Sequence, residues 1–204
     1  MRFIGLCGGS GSGKSYISSL FASYGIPSVN ADEVYHDITS IAGECTLELA
    51  DEFGDGILTD TGALDRRALS SLIFSHPDPK PYLSRLNSIT HKYVKREMLK
   101  IAAQYEMDGA ESVIFDAPLL FEAGMERDCD LVIAVVANRE TRIERIMTRD
   151  GITREAAERR INSQHSDEWL RERADIVIVN DSTKSLSEQI SLVAKRIKNK
   201  NLEI

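Results

Sequence analysis

The sequence has few cysteines, no long apolar run and no surplus of positive charge, and each shortage excludes a class of protein. Its 204 residues include three cysteines, Cys7, Cys45 and Cys129, which are too widely spaced for a C-x-x-C metal site and odd in number for a disulfide framework. We therefore expect a reduced, cytoplasmic compartment. The four histidines likewise show no spacing typical of a zinc site or a catalytic triad.

Hydrophobicity and charge exclude further classes. No segment approaches the roughly 20 apolar residues that a membrane helix needs, and glycine interrupts the apolar start of the chain too early for a signal peptide. The formal net charge is −7, whereas a general nucleic-acid surface requires a basic face. The composition, 42% hydrophobic and 28% charged, is otherwise ordinary for a globular protein. We expect neither a membrane nor a nucleic acid as partner.

Five short apolar runs predict buried β-strands. Their continuous apolar character, without alternation, is typical of strands covered on both faces, and helical segments separate them. The sequence therefore predicts an α/β fold with a five-stranded, mostly parallel sheet flanked by helices. The predicted strands are Phe3–Cys7, Ser28–Asn30, Ser112–Phe115, Leu131–Val136 and Ile176–Val179.

The segment between the second and third predicted strands is far longer than a simple crossover, since a whole β-α-β unit takes roughly 30 residues. Its sequence is helical in pattern: within LDRRALSSLIF, one helical face carries Leu64, Ala68, Leu69 and Leu72. The stretch from Pro81 to Tyr105 repeats apolar residues at helical spacing as well. We predict an inserted helical subdomain over about residues 32–111, which covers the substrate.

A second helical insert follows the fourth predicted strand, at about residues 138–170. It breaks at Gly151, and Thr153 can cap the helix that follows. Arg142, Arg145 and Arg149 lie at i, i+3 and i+7 and share one helical face. Such a face is ordinarily solvated, but a hinged helix pair this rich in arginine can also close on transferring phosphates. We interpret the insert as a lid. The core then comprises about residues 1–31, 112–137 and 171–204.

Residues 8–16, GGSGSGKSY, contain four glycines and three serines and almost no apolar side chain. Ordering such a stretch is costly, because glycine loses the most backbone freedom on folding, and a ligand would explain it. The stretch matches the phosphate-binding pattern G-x-x-x-x-G-K-[ST] in full, at Gly8, Gly13, Lys14 and Ser15. A predicted strand leads into it and a predicted helix, Tyr16–Tyr24, leads out, as that pattern requires.

Each residue type in this phosphate loop has a chemical reason to be there. Glycines let consecutive backbone N–H groups turn toward one anion, and the N-terminus of the following helix adds partial positive charge. Lys14 should reach the β- and γ-phosphates of a nucleotide, and the Ser15 hydroxyl should bind Mg²⁺.

Two carboxylates follow predicted strands at the sheet edge where open parallel sheets bind ligands. Asp32, in SVNAD, can accept the proton of an acceptor hydroxyl, or it can cap the helix DEVYHDIT, and the two roles are compatible. Asp116 ends the strand in SVIFDAPLLFE. An aspartate at that position commonly serves Mg²⁺ directly or through water, and the alternative is again a capping role.

These residues resemble the dephospho-coenzyme A kinase family over nearly the whole chain. The strings IGLCGGSGSGKS, NAD, LDRRALSSLIF, DAPLLFE, TRDGITREAAERRINSQ and RADIVIVN fall in the family's order, and DAPLLFE and the Arg160–Gln164 pair are specific to it. The resemblance implies a P-loop NTPase-type five-stranded core, an inserted helical CoA-binding subdomain and a helical lid. It also implies an ATP-dependent kinase that phosphorylates the ribose 3′-hydroxyl of dephospho-CoA, giving CoA and ADP in the final step of coenzyme A biosynthesis.

The resemblance also assigns roles residue by residue. Asp32 becomes the carboxylate that activates the acceptor, with Lys14 as its catalytic partner at the phosphates. The residues assigned to ATP are Gly11, Ser12, Gly13, Lys14, Ser15, Tyr16, Arg142, Arg145 and Arg149. The residues assigned to the acceptor are Asp32, Arg66, Arg67, His91, Asp116, Arg160 and Gln164. Mg²⁺ is assigned to Ser15 and to Asp116, directly or through water, and we expect a monomer or weak homo-oligomer.

Three positions depart from the family's pattern. Asn30 stands where an aspartate is usual, Tyr16 where threonine is frequent, and Lys92 where proline follows the histidine. Two other functions stay open: a different phosphate-loop kinase for a nucleoside or nucleotide, and a non-catalytic ATP-binding regulator. A GTPase switch would need a guanine-reading sequence such as N-K-x-D, and the chain has none.

Overall fold

The computed structural model describes residues 1–199, and the five predicted strands are present there to within one residue at each end. Residues 200–204, the end of the predicted core segment 171–204, lie outside the described residues. The strands are β1 (Arg2–Cys7), β2 (Ser28–Asn30), β3 (Ser112–Asp116), β4 (Leu131–Val136) and β5 (Ile176–Val179).

Helices fill the long intervals between the strands. Within the described range no helix is long and apolar enough to cross a membrane. The helices are α1 (Lys14–Ala22), α2 (Ala31–Thr39), α3 (Glu44–Phe53), α4 (Arg66–Phe74), α5 (Lys80–Met107), α6 (Arg139–Asp150), α7 (Arg154–Asn162), α8 (Asp167–Arg173) and α9 (Leu186–Lys198).

The strands form one sheet in the order β2-β3-β1-β4-β5, and the predicted five-stranded α/β fold is confirmed. β1 is parallel to both β3 and β4, and β4 is parallel to β5. In this register Leu6 lies opposite Asp116 on one side and opposite Ile133 on the other. Because parallel strands end at the same edge, the segments that follow β1, β3, β4 and β5 meet there.

The main core lies between the sheet and the helices α1 and α9. All six residues of β4 are buried, as expected from its uninterrupted apolar sequence. Ile17 and Phe21 of α1 and Ile190 and Ile197 of α9 pack against the sheet. Each such side chain contributes about 1.5–3 kcal/mol when fully buried, so truncation of the fully buried Phe21 to alanine should cost about 3–5 kcal/mol.

The chain forms two compact units: Met1–Val29 together with the residues from Ala102 onward, and Asn30–Ile101. The second unit is helical and has its own hydrophobic core. Leu69 of the predicted stripe is buried there in α4, and so is Ile73, which the stripe did not include. Leu64 is buried too, but its predicted place on the helical face is wrong, because α4 begins at Arg66. The predicted bounds of the helical insert, about 32–111, stay a prediction.

The helices α6 and α7 share a small apolar core of Ile143, Ile146, Ala157 and Ile161. The predicted break between them is confirmed. Gly151 ends α6 in a left-handed conformation with φ 64°, and its N–H donates to the Met147 carbonyl. The predicted cap is confirmed too, since the Thr153 side chain accepts a hydrogen bond from Ala156 N and starts α7.

Candidate active site

The phosphate loop joins the end of β1 to the start of α1 and requires glycine at two positions. Gly11 and Gly13 have φ of 78° and 87°, a region that side chains other than glycine rarely adopt. A Cβ at Gly11 would lie 2.6 Å from the Arg142 carbonyl oxygen, and a Cβ at Gly13 would collide with the Asn180 amide nitrogen. The loop is therefore packed against residues from distant parts of the chain.

Those distant residues hydrogen-bond the loop backbone. Ser10 N donates to Gln164 Oε1 at 2.8 Å. The Ser12 carbonyl accepts from Asn180 Nδ2 at 2.8 Å and from Arg145 Nη1 at 3.3 Å, and the Gly11 carbonyl accepts from Arg145 Nη1 at 3.2 Å. The loop conformation is thus fixed by side chains that follow β4 and β5.

Arg142 is a buried part of this arrangement. Its Nε donates to the Ser10 carbonyl at 2.9 Å, and its Nη1 pairs with Asp167 Oδ1 at 2.7 Å. Burial raises the pKa of Asp167 and lowers the pKa of Arg142, and the attraction between the two opposes both shifts. With 4% of its surface exposed, Arg142 does not fit the alternative of a solvated helix face.

Lys14 and Asp116 form a buried ion pair next to the loop. Lys14 is the first residue of α1, two residues before the predicted start of this helix at Tyr16. Asp116 ends β3, as predicted, and β3 lies beside β1. The Lys14 ammonium contacts Asp116 Oδ1, and the two side chains are 10% and 2% exposed. An ammonium group and a carboxylate of the type that binds metal ions therefore lie in contact at the edge where the strands end.

The residues just before and just after the loop differ in exposure. Ser15 and Tyr16, the next residues of α1, are exposed, Tyr16 to 58%. Cys7 is buried, and burial raises the pKa of its thiol to about 12, so the thiol stays neutral and is no nucleophile.

The loop fits a nucleotide phosphate with Mg²⁺. Its N-cap, Gly13, has no side chain to occupy the first N–H groups of α1, which then suit an anion. The Ser12 hydroxyl is fully buried and has no hydrogen-bond partner among residues 1–199. No cluster of three or more His, Cys, Asp or Glu side chains suited to a metal exists in that range, but Mg²⁺ commonly uses one or two protein ligands plus phosphate oxygens. Ser15 and Asp116 are of the right type.

The predicted arginine face divides between the loop and the lid segment. Arg142 and Arg145 contact the loop, whereas Arg149 is exposed and pairs with Asp150 through Nε and Nη2 at 2.7 and 2.9 Å. Arg160 contacts the same carboxylate. The hydrogen bond from Arg149, supported by Arg160, lowers the pKa of Asp150 to about 2. Arg149 and Arg160 are therefore held together by one shared acid.

In the second unit, Asn30 rather than Asp32 caps the helix. Asn30 Oδ1 accepts from Asp32 N at 2.9 Å and from Glu33 N at 3.2 Å, which makes Asn30 the N-cap of α2. The alternative in which Asp32 serves as the cap is wrong. Asp32 lies in the first turn with an exposed side chain, so its carboxylate is not committed to the cap.

The other acceptor-side predictions lie in the same unit. Arg66 Nη2 donates to Thr39 Oγ1 at 3.1 Å, and its guanidinium lies 5.1 Å from the centroid of the Tyr35 ring. Arg67 is exposed in the first turn of α4, and His91 is half-buried in α5. Their contact with an acceptor stays a prediction.

Two residues of the site were missed from the sequence. Asn180 donates to the Ser12 carbonyl of the loop, and Asp167 pairs with Arg142, yet both lie far along the chain from the loop. A usable signal existed for Asn180, because it directly follows β5 at the edge where parallel strands end. No comparable signal marks Asp167.

The chain is similar to known proteins over almost its whole length. A family model for dephospho-CoA kinases matches residues 2–185, a range that includes every predicted site residue. A dephospho-CoA kinase of Oryza sativa subsp. japonica is 37% identical over 183 residues, which are 90% of this chain and 78% of that protein. One from Listeria monocytogenes is 36% identical over 201 residues, 98% of this chain and 99% of its own. The solved dephospho-CoA kinase from Campylobacter jejuni superposes with a TM-score of 0.68 at 26% identity, covering 97% of this chain and 98% of that one.

Proposed function

The chain belongs to the dephospho-CoA kinase family, and from this premise we propose that it transfers the γ-phosphate of ATP to the ribose 3′-hydroxyl of dephospho-CoA, giving CoA and ADP. This would be the final step of coenzyme A biosynthesis. The observation that supports it most directly is the phosphate loop with Lys14 beside the buried Asp116. That loop suits a nucleoside triphosphate, while family membership indicates the identity of the acceptor.

The loop and α1 would bind the phosphates of ATP. The N–H groups at the start of α1, which the side-chain-free N-cap Gly13 leaves uncapped, would donate to the β- and γ-phosphate oxygens, and Lys14 is the first residue of the same helix. Because phosphoryl transfer is catalysed mainly by positioning and charge stabilisation, fixed donors serve it better than mobile ones. Arg142 and Arg145 keep the loop in this shape through its carbonyls.

Ser15 and Asp116 would hold Mg²⁺, Ser15 through its hydroxyl and Asp116 directly or through water. When bound, Mg²⁺ neutralises charge on the β- and γ-phosphates. Lys14 pairs with the Asp116 carboxylate in its buried position, so the charge of this proposed ligand has a partner within the protein.

Asp32 would act as the general base toward the acceptor. Its carboxylate accepts the proton of the ribose 3′-hydroxyl and orients that oxygen toward the γ-phosphate. Arg66, Arg67 and His91 would contact the acceptor. From the lid, Arg149 would contact ATP, and Arg160 and Gln164 would contact the acceptor. A cytoplasmic location and a monomer or weak homo-oligomer stay predictions.

Acceptor profiling tests the proposal. Purified protein is incubated with Mg·ATP and dephospho-CoA, with AMP, adenosine and shikimate as parallel acceptors, and products are separated by chromatography and identified by mass. We expect CoA and ADP in equal amounts and little product elsewhere. Turnover of a nucleoside monophosphate without CoA would instead identify another phosphate-loop kinase. ATP binding without any transfer would identify a regulator.

A further inference from the structure

The carbonyl oxygens of the phosphate loop are held from outside by side chains. Asn180 Nδ2 donates to the Ser12 carbonyl at 2.8 Å, while the Asn180 backbone N–H is anchored on the Val136 carbonyl at 2.8 Å. Asn180 follows β5 directly, so its side chain stands on a strand end rather than on a free loop. The amide nitrogen must face the carbonyl, because of the two atoms only the nitrogen can donate.

This contact determines the direction of a neighbouring N–H group. The Ser12–Gly13 peptide is trans, and in a trans peptide the C=O and N–H bonds point in opposite directions. With its carbonyl held toward Asn180 and Arg145, this peptide directs the Gly13 N–H away from both side chains. By contrast, the N–H groups of Ser10 and Ser12 already donate within the protein, to Gln164 Oε1 and to the Gly9 carbonyl.

The packing at Gly13 supports the same conclusion. Asn180 Nδ2 approaches Gly13 so closely that any Cβ there would collide with it, and Arg145 Nη1 would lie 3.6 Å from that Cβ. Rotation of the peptide would also break the two hydrogen bonds that the Ser12 carbonyl accepts from Asn180 and Arg145.

We propose that Asn180 is a positioning residue, which fixes the Ser12–Gly13 peptide so that the Gly13 N–H donates to a phosphate of the bound nucleotide. The proposal rests on the loop's proposed role in binding ATP phosphates, and it does not depend on the identity of the acceptor. An aspartate at position 180 would place a carboxylate oxygen against the Ser12 carbonyl, which repels it and turns the peptide. An alanine would remove the donor without adding a charge.

Inorganic triphosphate is the probe that isolates this step. We expect Asn180→Asp to weaken its binding, measured by calorimetry, by about 10²-fold, because the Gly13 N–H would lose its hydrogen bond to the phosphate and a negative charge would lie beside the anion. Asn180→Ala should weaken binding by about 10-fold, because the Gly13 N–H would lose its hydrogen bond to the anion. In wild-type protein labelled with ¹⁵N, the Gly13 amide resonance should move on addition of triphosphate, and in both variants this movement should shrink.

Matched controls separate positioning from damage to the fold. Asn199→Asp makes the same amide-to-acid change at an exposed site near Arg2, where β1 begins, and should bind triphosphate like wild type. The KM for dephospho-CoA should stay within about 2-fold in Asn180→Ala while kcat/KM for ATP falls with the loss of hydrogen bonding. If Asn180→Asp fails to fold, Asn180→Ala and Asn180→Ser carry the test.

Triphosphate binding at wild-type affinity by a folded Asn180→Ala protein, or an unchanged Gly13 signal in wild type, would overturn the proposal. A wild-type protein that makes no CoA, but whose triphosphate affinity still depends on Asn180, would contradict the proposed function and leave the positioning role intact.

Discussion

The phosphate loop and the residues of the second unit that are proposed to contact the acceptor (Asp32, Arg66, Arg67 and His91) are held in different ways. Side chains from three later segments, namely α6, the residues after α7 and the residue after β5, hydrogen-bond the loop backbone, and Lys14 pairs with the buried Asp116. Asp32 and Arg67 are exposed, and Asp32 lies in the first turn of the helix that Asn30 caps. Charge stabilisation demands donors fixed in advance, whereas a base needs only to come within reach of its proton.

Replacement of Asp32 by alanine is expected to have the largest effect on turnover. Loss of a positioned general base should lower kcat by about 10²–10⁴-fold, while ATP affinity changes little. Because the side chain is exposed and is not the helix cap, thermal stability should stay close to wild type. Steady-state kinetics and a melting curve check both points. Glu33→Ala, a change at the next exposed residue, is the control, and wild-type turnover in Asp32→Ala would remove Asp32 from the mechanism.

Replacement of Lys14 by methionine should damage both activity and stability. We expect kcat/KM to fall by about 10²–10³-fold, as for the loss of one donor to developing charge. The change also leaves Asp116 buried without its cation, which costs about 3–5 kcal/mol of the free energy of unfolding. Denaturant unfolding measures that loss.

A second substitution separates the two effects of Lys14. In the double variant Lys14→Met with Asp116→Asn neither of these two positions carries a charge. Most of the lost stability should therefore return, while activity stays low. Recovery of activity together with stability would show that Lys14 acts through folding alone.

Replacement of Asn30 by alanine tests how much the position of Asp32 depends on its cap. We expect a loss of about 1 kcal/mol in the free energy of unfolding, typical of a lost N-cap, and a modest fall in kcat. Asn30→Asp should restore both, because aspartate caps as well as asparagine. Asn30→Ala with full kcat would mean that Asp32 is positioned by something other than the cap.

The smallest expected effect concerns Asp150, the acid shared by Arg149 and Arg160. Since its pKa is lowered from 3.8 to about 2, its ion pairs contribute fully above about pH 4 and are lost as the pH falls toward 2. NMR titration of the Asp150 carboxyl carbon should give a midpoint near 2. Arg149→Ala should raise that midpoint, and an unshifted midpoint near 4 in the wild type would contradict the paired geometry.

Sequence reasoning reached the strands and the loop because these depend on local patterns. The apolar run of β4 and the spacing of Gly8, Gly13 and Lys14 need no knowledge of the rest of the chain. It offered only Asp32 as the cap and missed Asn30, because both residue types cap well and only the backbone turn at Asn30 decides.

The arginine face shows a second limit of sequence reasoning. The i, i+3, i+7 spacing placed Arg142, Arg145 and Arg149 on one side of a helix. It did not indicate which part of the protein that side contacts. Arg142 is buried on Asp167 because α8 packs against β4, a tertiary contact without a local sequence signal. The hydrogen bond from Asn180 to Ser12 depends in the same way on sheet order, which brings the end of β5 and the phosphate loop to one edge.

The position of the new phosphate on the product tests the proposed reaction most directly. The product from Mg·ATP and dephospho-CoA would be purified, and the proton–phosphorus couplings of its ribose measured by NMR. The proposed reaction predicts a single new phosphate on the 3′-oxygen, formed in step with ADP. A phosphate on another oxygen, or release of inorganic phosphate with unchanged dephospho-CoA, would contradict it.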